Sequence, residues 1–201
     1  MKLRERFGLA SQQKERLYTS PEHGSKDNFE FKEISFENVP LGIQKKFEER
    51  RQTEVGIRHS EIMPWDEILY VENPRIRTYI ASHPMSQGES RASYFIDVID
   101  NKVVGQGILV NDFKKTEMNQ SSLVPAWAGT TDKNYAHGGL GERRLALMHA
   151  YCETHYNLPL HSSRFIESPA RQLWEKLATR GRAEKTELFD DDGKPRYRFI
   201  E

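Results

Sequence analysis

Gly138, Gly139 and Gly141 fall within four residues and run directly into a segment in which Leu140, Leu145, Leu147, Met148 and Tyr151 recur at roughly helical spacing. Glycine adopts backbone angles that a Cβ forbids, so this stretch predicts a tight turn feeding a helix N-terminus. The first turn of a helix carries unpaired N–H groups and the positive end of the helix dipole, and glycines let a phosphate come close to that backbone. A phosphorylated cofactor is the natural guest; a turn that merely permits close helix packing is the alternative. No Lys-Ser/Thr follows the last glycine and no G-x-G-x-x-G is present, so the triphosphatase and dinucleotide loops do not fit.

At 201 residues the chain is long enough for one domain with a sizeable core, here 29–201, behind a polar arm, 1–28. Thirty basic and thirty acidic residues cancel, so net charge gives no reason to expect a nucleic acid or an anionic membrane surface as partner. Cys152 is the only cysteine, which excludes an intrachain disulfide and a multi-cysteine zinc module. No apolar run approaches the roughly 20 residues needed to span a bilayer, and no signal-peptide core is evident at the start. A soluble, cytoplasmic protein is therefore expected.

Along the chain, Met1 to Asn28 reads as a frayed terminus, or as a docking arm in which Leu3, Phe7 and Ala10 line one side of a short helix that binds a protein partner. The alternation of Phe29, Phe31, Ile34 and Phe36 predicts a strand, and Leu41 to Val55 a helix lying on a sheet, with Lys45 to Arg51 as its solvated face. Pro64 to Val71 reads as a second short helix started by proline, and Arg75 to Ser82 as a strand or lid segment. Ser93 to Asp100 and Val103 to Val110 are β-branched and aromatic runs joined at Asn101-Lys102, which predicts an antiparallel hairpin. Ser121 to Ala128 is the expected strand before the glycine turn, and Leu158 to Ser163 a short buried strand after the helix. Together these would form one right-handed crossover with the turn at the carboxyl end of a strand. Ser168 as N-cap and Pro169 open a last helix, with Ala170, Leu173, Trp174 and Leu177 as its buried stripe and Gly181 as its end. Ala183 to Phe189 and Arg196 to Ile200 form a closing hairpin.

Gly139-Leu140-Gly141 before a helix resembles the acyl-CoA pyrophosphate loop of the GNAT superfamily of N-acetyltransferases. Val103-Val-Gly105 on the return strand of the hairpin resembles that superfamily's central hairpin. Glu167, Ala170, Leu173, Trp174, Lys176 and Leu177 are similar to its helix pattern Asn-x-x-Ala-x-x-Leu-Tyr-x-Lys-Leu, and the order of elements over about 93–201 agrees. The Trp-Glu-Lys-Leu wording looks like members encoded by bacteriophages, which would make the location host cytoplasm or virion. The resemblance implies an α/β (α+β) fold: a single domain with a mixed, mostly antiparallel central sheet, split near the cofactor and flanked by helices. It implies transfer of an acyl group from acetyl-CoA, or another acyl-CoA, to an amine. Backbone N–H groups of Gly138, Gly139, Leu140, Gly141 and Glu142 would hold the pyrophosphate, with His137 and Arg143 or Arg144 beside them. The strand near Trp127 would pair with the pantetheine arm, and Tyr135 or Ser163 would sit near the thioester.

The chain departs from that pattern at three points. Ala136 stands where the loop usually has Arg or Gln, which removes one side-chain contact to pyrophosphate. Trp174 replaces the tyrosine that would protonate the departing thiolate. No glutamate is obvious on the hairpin to take the amine proton; Glu117, with Asp97 and Asp112, is the nearest carboxylate, and proximity with water as acceptor is the alternative. Ala136 and Trp174 favour a second function, an acetyltransferase-like fold retained as a structural or interaction protein, in a virion for instance; a third, modification of nucleic acid by such a fold, would need a basic cleft. His149, Cys152, Glu153 and His155 lie too far around one helix for all four to converge on a metal, and none is predicted. Arg164, Arg171, Arg180 and Arg182 alternate with acids and read as a solvated surface.

Overall fold

The computed structural model describes residues 17–18, 28–54, 64–73, 75–84, 91–111, 123–130, 135 and 138–200. Its framework is a six-stranded sheet in simple meander order: β1 (Lys32–Glu33), β2 (Glu67–Glu72), β3 (Arg77–Pro84), β4 (Arg91–Ile99), β5 (Lys102–Asn111) and β6 (Leu123–Thr130). Helix α1 (Leu41–Glu54) covers one face, and α2 (Leu140–Tyr156) and α3 (Ser168–Thr179) the other. A second sheet of two strands, β7 (Ala183–Phe189) and β8 (Pro195–Phe199), closes the α2–α3 side. The class is mixed α+β, and every strand pairing among the described residues is antiparallel.

Strand alternation divides the core into two layers. Tyr79, Ala81, Tyr94, Ile96 and Ile108 face α1 and bury its Ile43 and Phe47. Leu69, Val71, Ile80, Phe95 and Leu109 face the other way, against Leu145, Leu147 and Met148 of α2 and Trp174 and Leu177 of α3. Because both faces are covered, the strands do not read as apolar-in, polar-out, and this accounts for one correction. Pro64 to Val71 is not a helix: Ile68 to Val71 is a continuous apolar run because Leu69 and Val71 serve one layer while Ile68 and Tyr70 pack against the other.

Other expectations need adjustment. The hairpin turn is Asp100-Asn101, one residue earlier than read, with φ of 49° and 60° that Asp and Asn tolerate. The segment 158–163 does not return beside β6 among the described residues. Ser162 N instead donates to Tyr197 O (2.8 Å) and Phe199 N to Leu160 O (3.0 Å), so the segment joins β8 and the two sheets stay separate. On α3 the capping position is Glu167 rather than Ser168, and Ala170 is exposed; Trp174 and Leu177 are its buried residues. Arg51, read as solvated, is buried over the Trp65 ring at 4.6 Å. Most of the arm lies outside the described residues.

Trp174 is 2% exposed and stacks on Tyr197 with ring centroids 6.2 Å apart. Trp174→Ala is expected to cost about 3–5 kcal/mol in denaturant unfolding, with Trp174→Tyr costing much less. His83 is fully buried between Trp65 and Tyr94, its Nδ1 bonded to Pro84 O at 2.7 Å. Burial holds its pKa below the ordinary value of 6.5, although the Pro84 bond opposes this; Arg51, Asp66 and Arg91 are the charges around it. The unfolded chain therefore takes up this proton first as pH falls. His83 stability is fully present above about pH 6.5 and is lost as pH falls from there through the folded pKa. Unfolding free energies between about pH 7.5 and 5.5 should fall in the parent and slope less in His83→Phe.

Candidate functional site

Tyr135 O accepts from Gly138 N at 3.2 Å, a bond that ties Tyr135 to the glycines. Gly139 then takes φ 89°, ψ 2°, a left-handed conformation that an L side chain rarely adopts, and caps α2. Arg143 N donates to Gly139 O at 3.0 Å, the first bond of the helix at this end. Gly141 is small for another reason: a Cβ there would lie 3.2 Å from Leu173 Cδ2, so it sets the approach of α3 to α2.

The side chains that follow the turn point away from it. Arg143 and Arg144 are buried beneath the helix, where Arg144 Nε and Nη2 donate to Asp97 Oδ2 at 2.9 and 2.5 Å. Arg143 Nη1 donates to Thr78 Oγ1 at 2.7 Å and stands 3.5 Å from Asp97 Oδ1, with its guanidinium 5.7 Å from the Phe29 ring centroid. Burial alone would raise the Asp97 pKa, but Arg144, Arg143 and the Thr78 hydroxyl outweigh it and hold the carboxylate below its usual range. Gly105 opposes Asp97 across the β4–β5 pair, and a Cβ on it would fall on the Arg144 guanidinium. Val104 is the extra residue of a bulge at this point. Glu142, also buried, accepts from Lys176 Nζ of α3 (3.3 Å) and from Nη1 of Arg180, the residue that caps the end of that helix (2.8 Å). Of the residues expected around the turn, Glu142 and Arg143 thus contribute backbone to it and spend their side chains on packing.

A chain segment far away in sequence lies on the glycines. Leu17 N and Tyr18 N both donate to Gly138 O, at 2.9 and 3.2 Å. Tyr18 O lies 2.5 Å from where a Gly139 Cβ would stand, and its hydroxyl accepts from Arg182 Nη1 at 3.2 Å. Nothing in the local sequence marks this contact, because its backbone atoms carry no residue signature.

Trp127 lies on β6 opposite Ile108; the next pair is Leu109 with Pro125, so Ala126 is an extra residue that breaks the ladder. β6 ends the six-stranded order. Tyr135 is half-buried against Ile76, Ile99, Val104 and Leu140. Ser163 caps its own turn by accepting from Phe165 N at 3.2 Å, and no hydrogen bond joins it to Tyr135. Ala136, His137, Asp112 and Glu117 lie outside the described residues.

The remaining constellations separate. His149 pairs with Glu153 (3.6 Å) while His155 pairs with Glu67 (3.1 Å), and Cys152 is buried with its thiol pKa pushed up by desolvation. No group of three or more metal-ligating side chains converges among the described residues. Arg164 and Arg171 pair with Asp191 and Asp190, and Arg180 with Glu142. Comparison with protein-family models, curated proteins and solved structures returns no match to the chain.

Asp97 is a buried carboxylate shared by two buried guanidinium groups, so Asp97→Ala should destabilise by about 3–5 kcal/mol by taking a charge partner from both. Chemical denaturation checks this, and a variant as stable as the parent would show that α2 is not held through that carboxylate.

Proposed function

We propose that this chain is an acyl-CoA-dependent N-acyltransferase with a GNAT-like domain over 29–201. One observation carries the reading: a left-handed glycine turn opens the 17-residue helix α2, which packs beside β6, the last strand of the main sheet, and β6 carries a bulge in its pairing at Ala126. Backbone N–H groups at a helix N-terminus suit a pyrophosphate, and a bulged end strand suits pairing with the amide groups of a pantetheine arm. Gly138, Gly139, Leu140, Gly141 and Glu142 supply the backbone of the phosphate site and residues near Trp127 the strand. The buried Glu142, Arg143 and Arg144 side chains have no part in it.

The bound acyl-CoA supplies a thioester as acyl donor. An amine nitrogen attacks the thioester carbonyl carbon, the carbon–sulfur bond breaks, CoA leaves as thiolate, and the amine proton passes to water. Holding the two reactants together is the main contribution of the protein, since Trp174 lacks an acidic proton for the thiolate. Tyr135, half-buried beside the turn, is the hydroxyl nearest the glycines in sequence and the first candidate to meet the thioester; Ser163 is the second.

A second reading, an acetyltransferase-like fold that serves as a structural or interaction protein, draws on the Leu17–Tyr18 contact, which gives Gly139 a purpose without any ligand. Acetyl-CoA titration separates the two. A site present only in the folded state raises stability by roughly 3 kcal/mol when free ligand is about 100 times its Kd. An upward shift in melting temperature with acetyl-CoA, and acetylation of an amine panel followed by mass spectrometry, are expected. No shift at millimolar acetyl-CoA supports the interaction reading instead.

A further inference from the structure

We infer that Leu17 and Tyr18 form a backbone strap that competes with the acyl-CoA pyrophosphate for the glycine turn, so that cofactor access is regulated from within the chain. The inference rests on the acyltransferase reading and adds a layer of control to it.

Four features place the strap on the turn. Two consecutive amides, Leu17 N and Tyr18 N, converge on the single carbonyl of Gly138. The Tyr18 carbonyl oxygen then stands against Gly139, within the volume a side chain there would need. That oxygen is the negative end of a peptide dipole, set beside the positive end of α2, as a phosphate oxygen would be. Side chains secure it: Leu17 packs with Tyr135 against Leu140, and the Tyr18 hydroxyl takes the Arg182 hydrogen bond.

The strap is nevertheless peripheral. Leu17 and Tyr18 are only half-buried, and the layers beneath them are completed by other residues. Lifting two residues from Gly138 exposes the turn without opening the core. A pyrophosphate over Gly139 and the Tyr18 carbonyl over Gly139 are mutually exclusive, so the apparent Kd for acyl-CoA is the intrinsic one divided by the fraction of molecules with the strap off. Any partner that takes hold of the segment would then turn the site on.

The test uses the full chain and CoA as the probe. Tyr18→Pro removes one of the two amides that hold Gly138 and the hydroxyl that meets Arg182; Tyr18→Phe removes the hydroxyl alone. By calorimetry Tyr18→Pro is expected to bind CoA at least about 10-fold more tightly than the parent, with Tyr18→Phe between them. In the parent, hydrogen exchange at the Leu17 and Tyr18 amides should quicken when CoA is saturating. A folded Tyr18→Pro variant that binds CoA no more tightly than the parent overturns the inference. So does parent exchange that CoA leaves unchanged, a result that decides the matter even if the proline variant fails to fold. Those two results leave the acyltransferase reading standing. CoA that binds neither parent nor either variant removes that reading, and with it the strap's role as a competitor.

Discussion

Asp97 is shared by Arg143 and Arg144, and the position of α2 over the sheet depends on that sharing. Three ionised groups with essentially no exposure to water carry a large desolvation cost, which the short Arg144–Asp97 contacts and the Thr78 bond offset. Such a cluster accepts one geometry, because a slide of α2 by one turn would leave charges buried without their partner. The far end of the helix is tied in the same way: Tyr151 hydrogen-bonds Glu67 (2.5 Å) and Ser82 (2.7 Å). Between these ties Leu147 and Met148 supply apolar contact, which by itself would tolerate small shifts. Polar ends therefore set the register and the apolar middle supplies the burial. Gly105 and the bulge at Val104 belong to the same device, since they make room on β5 for the Arg144 guanidinium.

This device explains which parts of the molecule were legible in the sequence. The 93–110 hairpin, α2, α3 and the closing hairpin announce themselves through local pattern: β-branched runs around a polar turn, a glycine before an amphipathic stretch, a proline at a helix start. The 64–71 segment failed because a strand covered on both faces loses its alternation, and a leading proline then looks like a helix start. Arg143 and Arg144 read as candidates for a phosphate because they follow a glycine turn; in the structure both side chains are buried on Asp97. Their partner lies 46 and 47 residues earlier in the chain, on the one hairpin acid that faces α2.

The candidate site was legible in outline and not in its occupant. Gly139 was read from the sequence as making room for something close to the backbone, and the left-handed φ of 89° bears out the need for glycine there. What comes close in the molecule is the chain itself, at Tyr18. A backbone-to-backbone contact between residues about 120 apart leaves no trace in side-chain type, so no reading of spacing or periodicity could have found it.

The single thiol has a use that its inertness suggests. Cys152 sits on α2 one residue past the Tyr151 tie, buried in the core layer on the α2–α3 side of the sheet, and desolvation keeps it in the unreactive protonated form. A thiol reagent can reach it only when the helix parts from the strands. Cys152 therefore acts as a clock for that separation: its labelling rate in the native state reads how often the two layers come apart. With no other cysteine in the chain the signal has one source.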